Sequence, residues 1–192
     1  DLETYVELEA RLPGLPESPL ELVLGMGIAK GERMDFVLQK ATELGITRIQ
    51  PLWTKRSVPQ TQEERRERRQ AHWRGVIAAA CEQCGRACLP DLAMPLPVEE
   101  WLNADGLGRE AALGIVFDPG GTHRLDELTP PKGTCVLAIG PEGGWAASEL
   151  AMLERAGFVG LALGPRILRT ETAALTAIAL LQARWGDLSE GP

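Results

Sequence analysis

Thr134-Cys-Val-Leu-Ala-Ile-Gly-Pro-Glu-Gly-Gly-Trp145 decides the fold class. Thr134–Ile139 is a short apolar run of buried-strand type, and Ala146–Ala156, closed by Gly157, has the spacing of a helix. Between them, Gly140, Gly143 and Gly144 permit close backbone approach, Pro141 stiffens the turn and Glu142 adds one carboxylate. The same strand–loop–helix grammar recurs at Val159–Leu163, whose loop Gly164-Pro-Arg-Ile-Leu-Arg169 leads into Thr170-Glu-Thr172 and an apolar helix over 171–185. Thr170 is a candidate cap for that helix. An Ile167-Leu168 pair flanked by Arg166 and Arg169 suits the wall of a pocket for a flat, partly polar ligand.

Upstream, strand and helix alternate in the same way. Leu20–Ile28 reads as a buried strand. Arg33–Leu44 is a helix stopped by Gly45, with apolar residues at 34, 37, 38, 41 and 44. Ile46–Trp53 is a second strand. Thr61 with Glu64 makes a capping box for a helix reaching to about Cys84. Leu113–Phe117 is a third strand, ending in Asp118-Pro-Gly-Gly121. The pattern predicts an α/β fold: a mainly parallel sheet with helices on both faces and ligands held in loops at the carboxyl ends of strands. Before it, Tyr5–Leu12 suggests one alternating strand, and Pro13-Gly-Leu-Pro-Glu-Ser-Pro19 reads as a linker.

The 192 residues, 44% hydrophobic and 24% charged, suffice for a packed core and exclude disorder as the main state. No apolar run approaches the roughly 18–20 residues that span a bilayer, and Asp1-Leu-Glu-Thr-Tyr5 shows no secretory pattern, so the expected compartment is cytoplasmic. A net charge of −7 argues against a simple electrostatic nucleic-acid binder, though a local basic face can sit on an acidic protein. Lys30, Arg33, Lys55 and Arg56 form one compact basic set. The run Glu63-Glu-Arg-Arg-Glu-Arg-Arg69 is either a self-paired helix face or an RNA contact.

Other chemistries find little footing. Gly25-Met-Gly-Ile-Ala-Lys30 lacks the third glycine of a dinucleotide fingerprint, and no phosphate loop or nucleophile elbow occurs around His72 or His123. Cys81-Glu-Gln-Cys-Gly-Arg-Ala-Cys88 has C-x2-C-x3-C spacing; a metal there would need Cys135 or His72 as a fourth ligand, and buried thiols are the plainer reading, with no metal expected. Gln83 and Arg86 are the polar members of that stretch.

Four motifs, in order, carry a family resemblance: Glu32-Arg-Met-Asp-Phe-Val-Leu-Gln-Lys-Ala-Thr-Glu-Leu-Gly45, Ala80-Cys-Glu-Gln-Cys-Gly-Arg86, Ile139-Gly-Pro-Glu-Gly-Gly144 and Leu163-Gly-Pro-Arg-Ile-Leu-Arg-Thr-Glu-Thr-Ala-Ala-Leu-Thr-Ala-Ile178. With them the chain resembles the bacterial 16S ribosomal RNA uridine-N3 methyltransferases of the SPOUT superfamily. The resemblance implies a deep C-terminal trefoil knot, S-adenosylmethionine as cofactor, 16S rRNA of the small ribosomal subunit as substrate and a homodimer. It divides the chain into 1–16, the last strand and linker of an N-terminal PUA-like domain; 17–188, the SPOUT methyltransferase domain; and 189–192, a tail.

The resemblance also suggests roles. Phe117, Ile139, Gly140, Pro141, Glu142, Gly143, Gly144, Leu163, Gly164, Ile167, Leu168, Thr170 and Thr172 are expected around the cofactor. Arg169, Glu142, Lys40, Arg86 and Gln83 are expected in catalysis: Arg169 against negative charge developing on uracil, Glu142 near the sulfonium or as a base, Lys40 as a basic active-site residue, and Gln83 and Arg86 against the uracil or a phosphate. The competing readings are a catalytically silent RNA-binding module of the same fold and a small metal protein using Cys81, Cys84 and Cys88.

Overall fold

A computed structural model describes residues 14–57, 63–104 and 112–189. The strand expected over Tyr5–Leu12, Thr61 of the capping box and the last residues of the tail lie outside them. Seven strands are described: β1 (Leu22–Gly27), β2 (Arg48–Trp53), β3 (Asp91–Leu92), β4 (Leu96–Pro97), β5 (Leu113–Phe117), β6 (Cys135–Ile139) and β7 (Val159–Leu161). Their order is β3-β2-β1-β6-β5-β7, with β4 also on β2, and every described pairing is parallel. The helices are α1 (Glu32–Glu43), α2 (Glu63–Cys84), α3 (Val98–Ala104), α4 (Ala147–Arg155) and α5 (Thr170–Trp185).

The alternation of β6 shows why both faces need cover. Cys135, Leu137 and Ile139 join a core with α1, α2 and α5, whereas Val136 and Ala138 join a second core with Trp101 of α3 and Leu153 of α4. Successive strand residues point to opposite faces, so a strand this apolar is stable only between two helical layers. In the second core Trp101 and Phe158 meet at 5.7 Å. Gly25, read from sequence as part of a strand end, has a packing role: a Cβ there would stand 2.5 Å from the Trp101 ring. The α1 stop is as expected, with Gly45 at φ 80°.

β3, β4 and α3 were not expected from the sequence. Two-residue strands carry no period to read, and α3 has only seven residues.

The topology positions the site. β1 and β6 are neighbours, Leu22 opposite Cys135 and Met26 opposite Ile139. From β1 the chain turns into α1 on the first core; from β6 it turns into α4 on the second. The two connections leave in opposite directions, which opens a crevice at the carboxyl ends of these strands. A Cβ on Gly27 would stand 2.6 Å from the Pro141 ring, so glycine lets the two strand ends close together at the floor of that crevice.

Candidate functional site

A cavity of about 680 Å³ occupies this crevice. Its walls come from three strand-end loops: Phe117–Pro119 after β5, Gly140–Trp145 after β6 and Leu163–Arg169 after β7, with Arg33 of α1 and Arg56 completing the rim. The loops are tied to one another. Asp118 N–H donates to the Leu161 carbonyl at 3.1 Å. Gly121 lies so close to β7 that a Cβ would sit 2.4 Å from the Leu161 carbonyl carbon. The buried Thr170 hydroxyl donates to the Gly140 carbonyl, joining the start of α5 to the glycine loop.

The interior combines apolar side chains with charged and backbone polar groups. Phe117, Ile139, Leu161, Leu163 and Leu168 supply apolar walls, and Ile167, 86% exposed, is an aliphatic lip at the mouth. Gly144 at φ 68° and Gly164 at φ 72° hold turns that side chains rarely allow. A Cβ on Gly140 would stand 3.2 Å from the Gly144 and Trp145 backbone, so this loop folds tightly on itself. Trp145 Nε1 and Glu171 Oε2 are buried without a hydrogen-bond partner among the described residues, and both residues line the cavity. Buried polar groups of this kind ordinarily have partners.

Charge is organised around Arg33. Its guanidinium donates to Glu142 Oε1 at 2.8 Å, and its Nε lies 3.8 Å from Glu171 Oε1. Lys30 N–H donates to the same Glu142 oxygen at 2.9 Å. Burial opposes ionisation of Glu142, yet the Lys30 N–H, a backbone N–H of its own and Arg33 together outweigh it. The carboxyl therefore sits below the ordinary range and is a weak base. Arg56 donates to the Gly143 carbonyl at 2.9 Å. Arg169 opens α5, its carbonyl accepting from Ala173 N–H at 2.8 Å, and its side chain is exposed at the cavity with no ion pair among the described residues.

Twelve of the thirteen residues expected around a cofactor line this cavity: Phe117, Ile139, Gly140, Pro141, Glu142, Gly143, Gly144, Leu163, Gly164, Ile167, Leu168 and Thr170. Thr172 does not; it is exposed on α5 and outside the lining. Thr170 is not the α5 cap, a position Arg169 holds; its hydroxyl ties down Gly140 instead.

Of the residues expected in catalysis, Arg169 and Glu142 are at the cavity and three are not. Lys40 pairs with Glu43 on its own helix at 2.7 Å. Gln83 is exposed near the end of α2. Arg86 is largely buried and structural: Nη1 donates to the Thr42 and Ile46 carbonyls at 2.8 and 3.0 Å, and Nη2 pairs with Glu17. Sequence reasoning passed over Trp145 and gave Asp118 and Glu171 no role, and placed Arg33 and Arg56 only in a basic set. The signal for Arg33 and Arg56 was their position just after strands β1 and β2.

The metal reading loses its geometry. Cys81 and Cys84 direct their thiols at the carbonyls of Cys88 and Cys81, both at 3.8 Å, and His72 bonds Asp35 at 2.7 Å. Cys135 is deep in the sheet, where burial pushes its thiol up to about 12. Among the described residues no three His, Cys, Asp or Glu side chains are grouped to hold a metal ion.

A family model described as an RNA methyltransferase domain matches residues 16–182. The chain belongs to the RNA methyltransferase family. Within it, the chain is 40% identical to ribosomal RNA small subunit methyltransferase E of Buchnera aphidicola subsp. Schizaphis graminum, over 90% of this chain and 69% of that protein. It is 33% identical to the protein of the same name from Synechocystis, over 87% of this chain and 54% of that one. Among solved structures it is similar to a ribosomal RNA small subunit methyltransferase E from Neisseria gonorrhoeae bound to S-adenosyl methionine. That match has a TM-score of 0.83 and 39% identity over 90% of this chain and 70% of the other. The chain thus spans between 54% and 70% of the length of these relatives. A SpoU methyltransferase from Streptomyces viridochromogenes, 12% identical with a TM-score of 0.53, shares the fold alone. No helix among the described residues is long and apolar enough to cross a membrane.

Proposed function

We infer that this RNA methyltransferase transfers the methyl group of S-adenosylmethionine to N3 of a uridine in 16S ribosomal RNA of the small subunit, in the cytoplasm. The observation that carries this reading is the single crevice. It joins apolar walls, a glycine floor, a fixed carboxylate and an arginine without an ion pair among the described residues, at the carboxyl ends of β5, β6 and β7. The similarity to a structure bound to S-adenosyl methionine gives the ligand class.

The residues fit the cofactor. A volume of about 680 Å³ lies within the ordinary range for a ligand pocket. The apolar side chains of Ile139, Leu163 and Leu168 suit the faces of an adenine, and backbone groups of the same loops suit its edges. Gly140, Gly143 and Gly144 leave the floor free of side chains. When bound, S-adenosylmethionine supplies a methyl group on a cationic sulfonium.

The chain does the rest. Glu142, kept ionised by Arg33 and the Lys30 N–H, places negative charge where it favours a cation. A carboxyl held this low is poorly suited to take the N3 proton, so Glu142 acts by charge and not as a base. The N3 proton passes to bulk solvent, since neither Glu142 nor Arg169 takes it, and its loss leaves negative charge on the uracil imide. Arg169 is permanently cationic and cannot accept that proton, but it stabilises the anion. Positioning of the uracil edge against the methyl carbon supplies much of the remaining acceleration.

Two architectural features complete the reading. The C-terminal segment forms a deep trefoil knot, supported by the packing of Gly121 against Leu161 and Ala162 immediately before the loop that leads into α5. The enzyme works as a homodimer, supported by an apolar groove of about 270 Å³ beside α5 that includes the 42% exposed Leu180. A monomer mass by light scattering at micromolar concentration contradicts the dimer.

Incubation with labelled S-adenosylmethionine and small ribosomal subunits lacking the modification tests the reaction. Nucleoside analysis should return 3-methyluridine. Label on another base, or none, refutes the assignment.

A further inference from the structure

The first half of α2 has no part in the crevice, yet it is the most basic stretch of an acidic protein. Between residues 64 and 74 stand five arginines against two glutamates, in a chain of net charge −7. Arg65 and Arg68 are exposed, and among the described residues neither they nor Arg69 forms an ion pair. The self-pairing expected from alternating signs is therefore not what this helix does with those three arginines.

The stretch lies at the pocket end of the sheet. Trp53 is the last residue of β2, one past Leu52, which pairs with Gly27 at the crevice floor. Arg66 of α2 stacks over the Trp53 ring at 4.5 Å, and Arg69 lies 5.8 Å from the Trp73 ring. From Trp53 the chain continues through Thr54 to Lys55 and Arg56, and Arg56 donates to Gly143 on the pocket rim. Lys55 is exposed and anchored by Ser148 at 2.7 Å. Glu149, the carboxylate bonded to this turn, is buried and engaged with the N–H groups of Lys55 and Ala146. A guanidinium stacked on an aromatic face is pre-organised and still presents donors in its own plane.

We propose that the first half of α2 and the Lys55–Arg56 turn form the track that holds the phosphate backbone of the RNA flanking the target nucleotide. The proposal rests on the RNA methyltransferase reading for its substrate. It adds where that substrate lies: from the pocket rim at Arg56, past Lys55, to Arg65 and Arg68. An RNA backbone fits better than a protein partner. Among the described residues the exposed large apolar ones, Ile167 and Leu180 among them, all fall outside this stretch, and a protein interface centres on an apolar core.

The test uses the 192-residue chain, the double variant Arg65→Glu/Arg68→Glu and the charge-conserving Arg65→Lys/Arg68→Lys. Affinity for unmodified small ribosomal subunits is measured across a salt series, and S-adenosylmethionine binding is followed by calorimetry. The glutamate variant should bind subunits about tenfold or more weakly at low salt. Its plot of log affinity against log salt should be shallower by about 1 to 2, while cofactor affinity is unchanged. The lysine variant should keep most of the binding, because phosphate contact needs charge more than fork geometry.

Unchanged affinity and slope in the glutamate variant overturn the track. Weaker binding with an unchanged slope also overturns it, and assigns the surface to a ribosomal protein. An unaltered chain that binds through this face but transfers no methyl group refutes the enzyme reading and leaves the track standing. One that does not bind subunits at all refutes the track, whatever the methylation result.

Discussion

Arg169→Ala lowers the rate of methyl transfer by about 100-fold or more, while S-adenosylmethionine binds nearly as before. The side chain stands at the mouth of the crevice without a carboxylate partner among the described residues. Its charge is thus available to a substrate. The residue's structural contribution is made by its backbone, which starts α5 through the carbonyl accepting from Ala173 N–H. Alanine keeps that bond. In the proposed reaction the substitution removes a cation where the uracil imide becomes negative, an interaction stronger in the transition state than in the ground state. Single-turnover rates with saturating cofactor, set beside calorimetric affinities, separate the two effects. Equal turnover by the variant removes Arg169 from the chemistry.

Arg86→Ala has the opposite profile. It lowers stability by about 3 kcal/mol and leaves turnover per folded molecule unchanged. Arg86 was expected from its motif to face the substrate; instead its side chain, 11% exposed, bridges the end of α1 to the segment before β1. Truncation strands the Ile46 carbonyl, leaves the Thr42 carbonyl with only the Gly45 N–H at 3.2 Å, and leaves Glu17 without its cation. For a chain of this size the melting temperature should fall by about 6–12 °C. Arg86→Lys restores only part of that, since an ammonium cannot reach all three acceptors with one planar fork. Loss of methyl transfer in a variant of unaltered melting temperature would return Arg86 to the active site.

These two arginines mark the limits of sequence reasoning here. The strands and the loops beside Arg169 were legible because they are local: an apolar run, a glycine turn and a helical period follow one another within a few residues. Twelve residues that line the cavity could be named on that basis together with the family resemblance. Arg86 could not be placed, because its partners Thr42 and Ile46 lie on another helix and its following turn, brought near only by the packing of α1 on α2. Arg33 was hidden for the same reason. Its closeness to Glu142 depends on β1 lying beside β6, a pairing of strands separated by most of the chain.

Two misplacements were avoidable in principle. Lys40 is three residues before Glu43 on one helix, a spacing that brings the pair together. Thr170 and Thr172, two apart at the start of a helix, point to different sides, so both could not face one ligand. The short strands β3 and β4 offered no periodic signal at all.

The crevice between the loops after β5, β6 and β7 is the proposed seat of S-adenosylmethionine. Calorimetric titration of the chain with that compound tests it most directly. Saturable binding at about one per chain is expected, weakened by Thr170→Val, which frees Gly140 from α5. A folded chain that gives no saturable heat contradicts it.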